Sequence, residues 1–187
     1  MTDIAKARIL IIATNGFEQS ELEVPRDQLR AKGAAVEVAT PDGKAIKGWE
    51  HTDWGRPAPA DLKIADARME DYTALVIPGG VMNPDKLRVD ADAMAIVKSF
   101  LSAGKVVAAI CHGPWLLVQA GALKGRQATS YKSIRTDVEN AGAAWLDEKV
   151  VVDNGIVTSR SPDDLDDFVG KIVKEIEEGK HYRRQAA

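Results

Sequence analysis

Cysteine is nearly missing from this chain: its 187 residues include one, Cys111. A lone thiol excludes an internal disulfide and fits a reducing compartment. Histidine is scarce as well, limited to His51, His112 and His181, and no Cys/His spacing matches a structural zinc site. No metal and no cofactor are therefore expected. The glycines form neither a GxGxxG turn nor a phosphate loop. Long apolar runs are missing too. The run "RILIIAT" (8–14) is too short to span a membrane, and no signal-peptide cleavage site follows it. The expectation is a cytoplasmic protein without a membrane partner. A net charge of −3 gives no general attraction for nucleic acid. The basic cluster "KHYRR" at 180–184 reads as a solvated helix end.

What is present is ordinary for a globular chain: 45% hydrophobic and 28% charged residues. The length suits one domain, taken as 1–187. Apolar, β-rich runs alternate with helical patterns. Strands are expected at 8–14, 34–40, 74–80 and 105–110, with a short one near 127–131. "KVVVD" and "GIVTSR" read as a hairpin turned at Asn154-Gly155. Helices are expected at 18–33, closed by Gly33, at 90–105, from His112 onward, at 133–142, and after Ser161 as N-cap. Continuous apolar strands separated by helices imply an α/β fold, a mostly parallel sheet covered on both faces. Residues 41–72 break the rhythm. With Trp49, His51, Trp54 and two prolines, they read as a surface excursion of short strands and loop.

"VVAAICHGPW" (106–115) carries the chemistry. A strand, one nucleophile, a glycine two residues on and then a helix follow the logic of a nucleophile elbow. Such a turn lifts Cys111 to the carboxyl edge of the sheet, where open α/β folds bind ligands. A helix start at His112 would favour the thiolate, so a depressed thiol pKa is expected. The alternative is a buried cysteine acting as a small hydrophobe. In "PGG" (78–80), Gly79 and Gly80 either make a simple turn or, with the His112 N–H, form an oxyanion hole. Glu18 and Glu21 begin at the same edge, either as site carboxyls or as first-turn acids favoured by the helix dipole.

In "NGFEQSELEVP", "ALVIPGG", "AICHGPWLL", "GALKGR", "ATSYKSI", "DVENAGA" and "VTSRSPDDL", the chain resembles the intracellular protease I (PfpI) family. That family lies within the superfamily of protein deglycases and class I glutamine amidotransferase-like proteins. The resemblance implies a flavodoxin-like, doubly wound sandwich. It implies Cys111 as nucleophile, His112 as the adjacent catalytic histidine and Glu18 as the carboxyl group bonded to the sulfur. It also implies Gly79, Gly80 and His112 around the oxyanion, and Tyr131 beside the pocket. Asp85 falls where the family carries an acid that completes the site of a neighbouring subunit, so a homodimer or larger homo-oligomer is expected. Three departures stand out. "GGVMNPD" is one residue longer than usual, the acid is Asp rather than Glu, and Trp115 replaces a smaller residue. Trp115 either narrows the pocket or packs in the core. No late histidine and acid complete an amidotransferase triad.

Together these readings predict a cysteine-dependent hydrolase or hydratase attacking a carbonyl, in a peptide or in a reactive aldehyde such as methylglyoxal and its protein adducts, with a role in stress protection. The rival reading is a one-cysteine, redox-responsive stress protein with little turnover.

Overall fold

A computed structural model of the chain describes residues 2–179; His181 and the basic cluster at 180–184 lie outside the described residues. The strands in chain order are β1 (Arg8–Ile12), β2 (Ala35–Thr40), β3 (Ile46–Glu50), β4 (Asp53–Ala58), β5 (Leu62–Lys63) and β6 (Ala74–Ile77). They continue with β7 (Val106–Ile110), β8 (Gln127–Ala128), β9 (Ala144–Trp145), β10 (Val150–Asp153) and β11 (Ile156–Ser159). The helices are α1 (Gln19–Ala31), α2 (Met82–Leu87), α3 (Ala91–Ser102), α4 (Trp115–Gln119), α5 (Arg135–Asn140) and α6 (Leu165–Glu178).

Seven strands form one sheet in the order β10-β11-β7-β6-β1-β2-β5, parallel except for β10. The period-two alternation of β1 divides the core in two. Ile9 and Ile11 face Leu22 and Leu29 of α1 and Phe168 and Ile172 of α6. Leu10 and Ile12 face Val97 and Phe100 of α3 and Leu116 and Leu117 of α4. Each such side chain, fully buried, stabilises the fold by roughly 1.5–3 kcal/mol. Two apolar faces on a single strand therefore require helices on both sides, and the α/β sandwich follows.

From β1 the chain winds outward to β2 and then crosses to β6 on β1's other side. The strand order reverses between β1 and β6, and a crevice opens at the carboxyl ends of those two strands. Asn83, fully buried, ties the two ends together. Its Oδ1 accepts the Thr14 N–H at 2.8 Å, and its Nδ2 donates to the carbonyls of Pro78 at 2.9 Å and Gly79 at 3.2 Å.

Gly33 closes α1 in a left-handed conformation with φ 94°, its N–H donating to the Arg30 carbonyl at 2.9 Å. Asn154 (φ 47°) and Gly155 (φ 80°) make the tight turn between β10 and β11. Two expectations are corrected. Ser161 does not cap the last helix with its side chain: Pro162–Asp164 is a 3-10 turn, and α6 begins after it at Leu165. The helix expected from His112 starts at Trp115 and runs five residues. The segment that breaks the αβ rhythm contains the β3–β4 hairpin, with Trp49 and Trp54 edge to face at 5.5 Å. The hairpin is fastened over the carboxyl edge by hydrogen bonds from the Trp49 N–H to the Phe17 carbonyl at 2.7 Å and from the Gly16 N–H to the Lys47 carbonyl at 2.9 Å.

Candidate active site

Cys111 sits immediately after β7 with φ 62°, a left-handed conformation that costs a residue bearing a Cβ on the order of 1–3 kcal/mol. The turn holds because its backbone is over-determined. The Cys111 N–H donates to the Ser159 carbonyl at 3.0 Å, and its carbonyl accepts the Tyr131 N–H at 2.8 Å. The residue is 7% exposed, at the wall of a cleft of about 520 Å³. Trp49 and His51 of the hairpin line that cleft, as do Tyr131, Pro162 and Asp163.

The carboxyl group beside the sulfur belongs to Glu21, not to Glu18. Glu18 precedes α1 with extended backbone dihedrals and pairs with Trp49 of the hairpin. Its half-buried side chain lines the cleft, where burial raises its pKa, the His51 imidazole lowers it and Glu50 raises it. One turn into the helix, Glu21 points inward and is fully buried. Its Oε2 accepts the Gly79 N–H at 2.8 Å. Burial pushes this carboxyl up to about 8, although the N–H groups of Gly79 and Gly80 and a hydrogen bond with Cys111 pull it down.

The expected depressed thiol pKa is also corrected. Burial pushes the Cys111 thiol up, and the charge of Glu21 adds to that rise. The N–H groups of Gly80 and His112 favour the thiolate without outweighing burial. A five-residue α4 beginning four residues after the sulfur supplies little of the dipole that the sequence reading invoked. A thiolate and a carboxylate in contact repel, so Cys111 and Glu21 titrate as a unit and keep a proton between them at neutral pH.

His112, itself buried, places Nδ1 3.2 Å from Cys111 Sγ. Its Nε2 lies 3.0 Å from Ser133 Oγ. Burial lowers the imidazole pKa, which favours the neutral ring. Tyr131 stacks on the ring at 5.0 Å, and Trp115 meets it edge-on at 5.2 Å. Trp115 does not line the cleft. It packs behind the imidazole, donating its Nε1–H to Asp137 Oδ2 at 2.8 Å beneath the Arg88 guanidinium. Asp85 is exposed on α2, and the hydrogen-bond partners of the His112 ring within the described residues are Cys111 and Ser133.

The "PGG" turn is more than a turn. Gly80 has φ 74°, and a Cβ there would collide with the Gly16 carbonyl and the Glu18 N–H. A Cβ on Gly79 would lie 2.6 Å from Cys111 Cβ. The two glycines let β6 close on the sulfur. The Gly79 N–H, however, is committed to Glu21; the N–H groups beside the sulfur are those of His112 and of Gly80, which also faces Glu21.

The sequence reading missed Ser133, which is 21 positions from His112 with no motif linking the two. It also missed Asn83, and it assigned the role of Glu21 to Glu18. A signal for Glu21 existed: it lies one helical turn before buried Pro25, on the inward face of α1. Among the described residues, no three His, Cys, Asp or Glu side chains converge as a metal site would. No helix among them is long and apolar enough to cross a membrane.

Over 167 residues the chain is 42% identical to a deglycase of Thermococcus kodakarensis and 40% identical to the deglycase PfpI of Pyrococcus furiosus, each time covering 89% of this chain and 98% of the relative. Among solved structures, Drosophila melanogaster DJ-1beta superposes with a TM-score of 0.83 at 28% identity, over 92% of this chain and 95% of that one. The DJ-1/PfpI family model matches residues 7–175, and the chain belongs to that family.

Proposed function

We propose that this protein is a cysteine-dependent hydrolase or hydratase of carbonyl compounds, of the deglycase kind for which two of its relatives are named. The observation that carries the reading is the strained Cys111 turn, with the sulfur set between the His112 imidazole and the N–H groups of Gly80 and His112. A purely structural cysteine needs none of these. In this mechanism Glu21 keeps a proton while Cys111 acts as thiolate. The sulfur bonds to the carbonyl carbon, and the π pair moves to oxygen beside the two N–H donors. His112 gives that oxygen a proton, forming a hemithioacetal from an aldehyde. For a 2-oxoaldehyde, a base moves the C–H proton of the hemithioacetal to the neighbouring carbonyl carbon, giving a thioester. Water then attacks the thioester carbonyl and breaks the C–S bond, releasing the 2-hydroxy acid and returning the Cys111 thiol.

A cleft roofed by the hairpin, with a sulfur 7% exposed, favours a small carbonyl or a side-chain adduct over an extended peptide. The wider reading is a cytoplasmic stress-protection enzyme acting as a homo-oligomer, in which the exposed Asp85 faces a neighbouring subunit. The test is turnover of methylglyoxal, a glycated amine and a peptide by wild type and Cys111→Ala. The expected result is turnover of the small carbonyl or adduct, falling at least about a thousandfold in the variant. Equal rates would defeat the reading.

Burial of Glu21 against the sulfur favours a second reading, because its protonated carboxyl can hydrogen-bond an oxidised sulfur. That reading gains if neither protein turns over any substrate while peroxide adds oxygen to Cys111 stoichiometrically.

A further inference from the structure

His112 is the group that must move Cys111's proton, yet the sulfur and Nδ1 lie inside the protein, and a proton parked on a buried imidazole has to leave. The ring's other nitrogen is 3.0 Å from Ser133 Oγ, and Ser133 is exposed. We propose that Ser133 is the positioning residue of His112 and the outlet through which the proton of Cys111 exchanges with solvent. The inference rests on Cys111 being the reacting group, as in the reading above.

The local structure is built for this contact. Tyr131 donates its N–H to the Cys111 carbonyl at 2.8 Å and stacks its ring on His112. The 3-10 turn Lys132–Ile134 follows at once, with the Ile134 N–H on the Tyr131 carbonyl at 3.1 Å and the Ile134 side chain buried. One short segment thus grips the nucleophile's carbonyl, covers the imidazole face and delivers a hydroxyl to Nε2.

A hydroxyl differs in kind from the carboxylate that usually orients a catalytic histidine. A carboxylate only accepts, so it fixes the Nε2–H tautomer. A serine both donates and accepts, so His112 can hold its proton on either nitrogen. The transfer balances without a co-reactant. The S–H proton passes to Nδ1, the Nε2–H passes to Ser133 Oγ, and the serine's own proton passes to water. A thiolate remains inside, facing an Nδ1–H donor, and Nε2 now accepts from the serine. The other groups facing this path are Glu21 on the sulfur side, the Tyr131 ring, and Trp115 with Arg88 and Asp137 behind it.

The test reads the sulfur directly. Iodoacetamide alkylation of Cys111 in the full chain, the single thiol, is followed from about pH 5 to about pH 10 in wild type, Ser133→Ala, Ser133→Thr and His112→Ala, and in the Ser133→Ala/His112→Ala double variant, with circular dichroism confirming the fold. Ser133→Ala should slow alkylation by about tenfold, the loss of one effective hydrogen bond, and move the profile toward higher pH. Thr should restore the rate to within about twofold, because it keeps the hydroxyl. Ser133→Ala should add nothing once His112 is absent. The proposal is overturned by a wild-type profile in Ser133→Ala, by failure of Thr to restore it, by an equal loss in the His112→Ala background, or by a wild-type sulfur unreactive throughout. No carbonyl substrate is involved, so the outcome is independent of whether the turnover assay succeeds.

Discussion

The two ends of the parallel sheet solve opposite problems. Both hold a residue other than glycine in the left-handed region. At the amino end it is Asn154, φ 47°, in the tight turn that leads into β11. Asparagine tolerates that conformation, so the turn carries little strain. At the carboxyl end, besides His51 (φ 56°) in the turn of the hairpin, it is Cys111, φ 62°, which has no such tolerance. Charges divide in the same way. At the amino end Arg8 meets Glu37 at 2.8 Å, with both side chains substantially exposed, and the Lys105 ammonium donates to the backbone carbonyls of Met69 and Tyr72. At the carboxyl end Glu21 is buried completely, beside a second titratable group. One end relaxes its polar groups into solvent or satisfies them. The other spends stability to hold strained and desolvated groups in place, as the proposed site requires.

The comparison can be broken, and the largest effect tests it hardest. Gly80→Ala forces a Cβ into the Gly16 carbonyl at a positive φ. We expect a loss of roughly 3 kcal/mol or more in chemical denaturation, together with loss of Cys111 reactivity. A near-neutral Gly80→Ala would mean that the carboxyl end is not tightly determined.

Glu21→Gln comes next. The folded-state carboxyl pKa is raised from 4.5 to about 8. The folded protein therefore binds a proton that the unfolded chain releases between those values. Stability from this group is fully present below about 4.5 and is lost as pH rises through about 8. Glu21→Gln should flatten that decline, worth on the order of a few kcal/mol at its upper end. Denaturation midpoints at three or four pH values measure it, and an unchanged slope would show that Glu21 ionises freely.

The smallest effect belongs to the amino end. Arg8→Ala breaks an exposed pair and should shift stability by no more than about 0.5 kcal/mol. A loss approaching that of Gly80→Ala would erase the contrast.

These expectations also mark how far sequence alone reached. The sheet was legible because β1, β6 and β7 are nearly continuous apolar runs, the pattern of strands buried on both faces, and β11 was marked by the Asn154-Gly155 turn before it. The elbow was legible because a lone cysteine followed by His-Gly-Pro at a strand end has few other uses. Glu18 was mistaken for Glu21 for a physical reason. The family resemblance put the carboxyl group at Glu18, but the helix begins only at Gln19. Before that point the backbone is extended, and Glu18 follows the hairpin instead. The thiol pKa went astray because helix length and burial were both unknown, and burial dominated. Ser133 had no signal at all, since its contact depends on where the 3-10 turn folds back.

The tryptophans follow the same asymmetry. Trp49 and Trp54 pair on the hairpin over the cleft, Trp115 abuts His112, and Trp145 donates its Nε1–H to Ser130, next to the Tyr131 that stacks on the imidazole. All four tryptophans of the chain are thus gathered around its carboxyl end. Intrinsic indole emission becomes a spectroscopic window onto one side of the molecule. Hairpin displacement, protonation of His112 beside Trp115, and ligand entry each perturb a nearby emitter, while events around Arg8 and Tyr72 leave the indole signal dark.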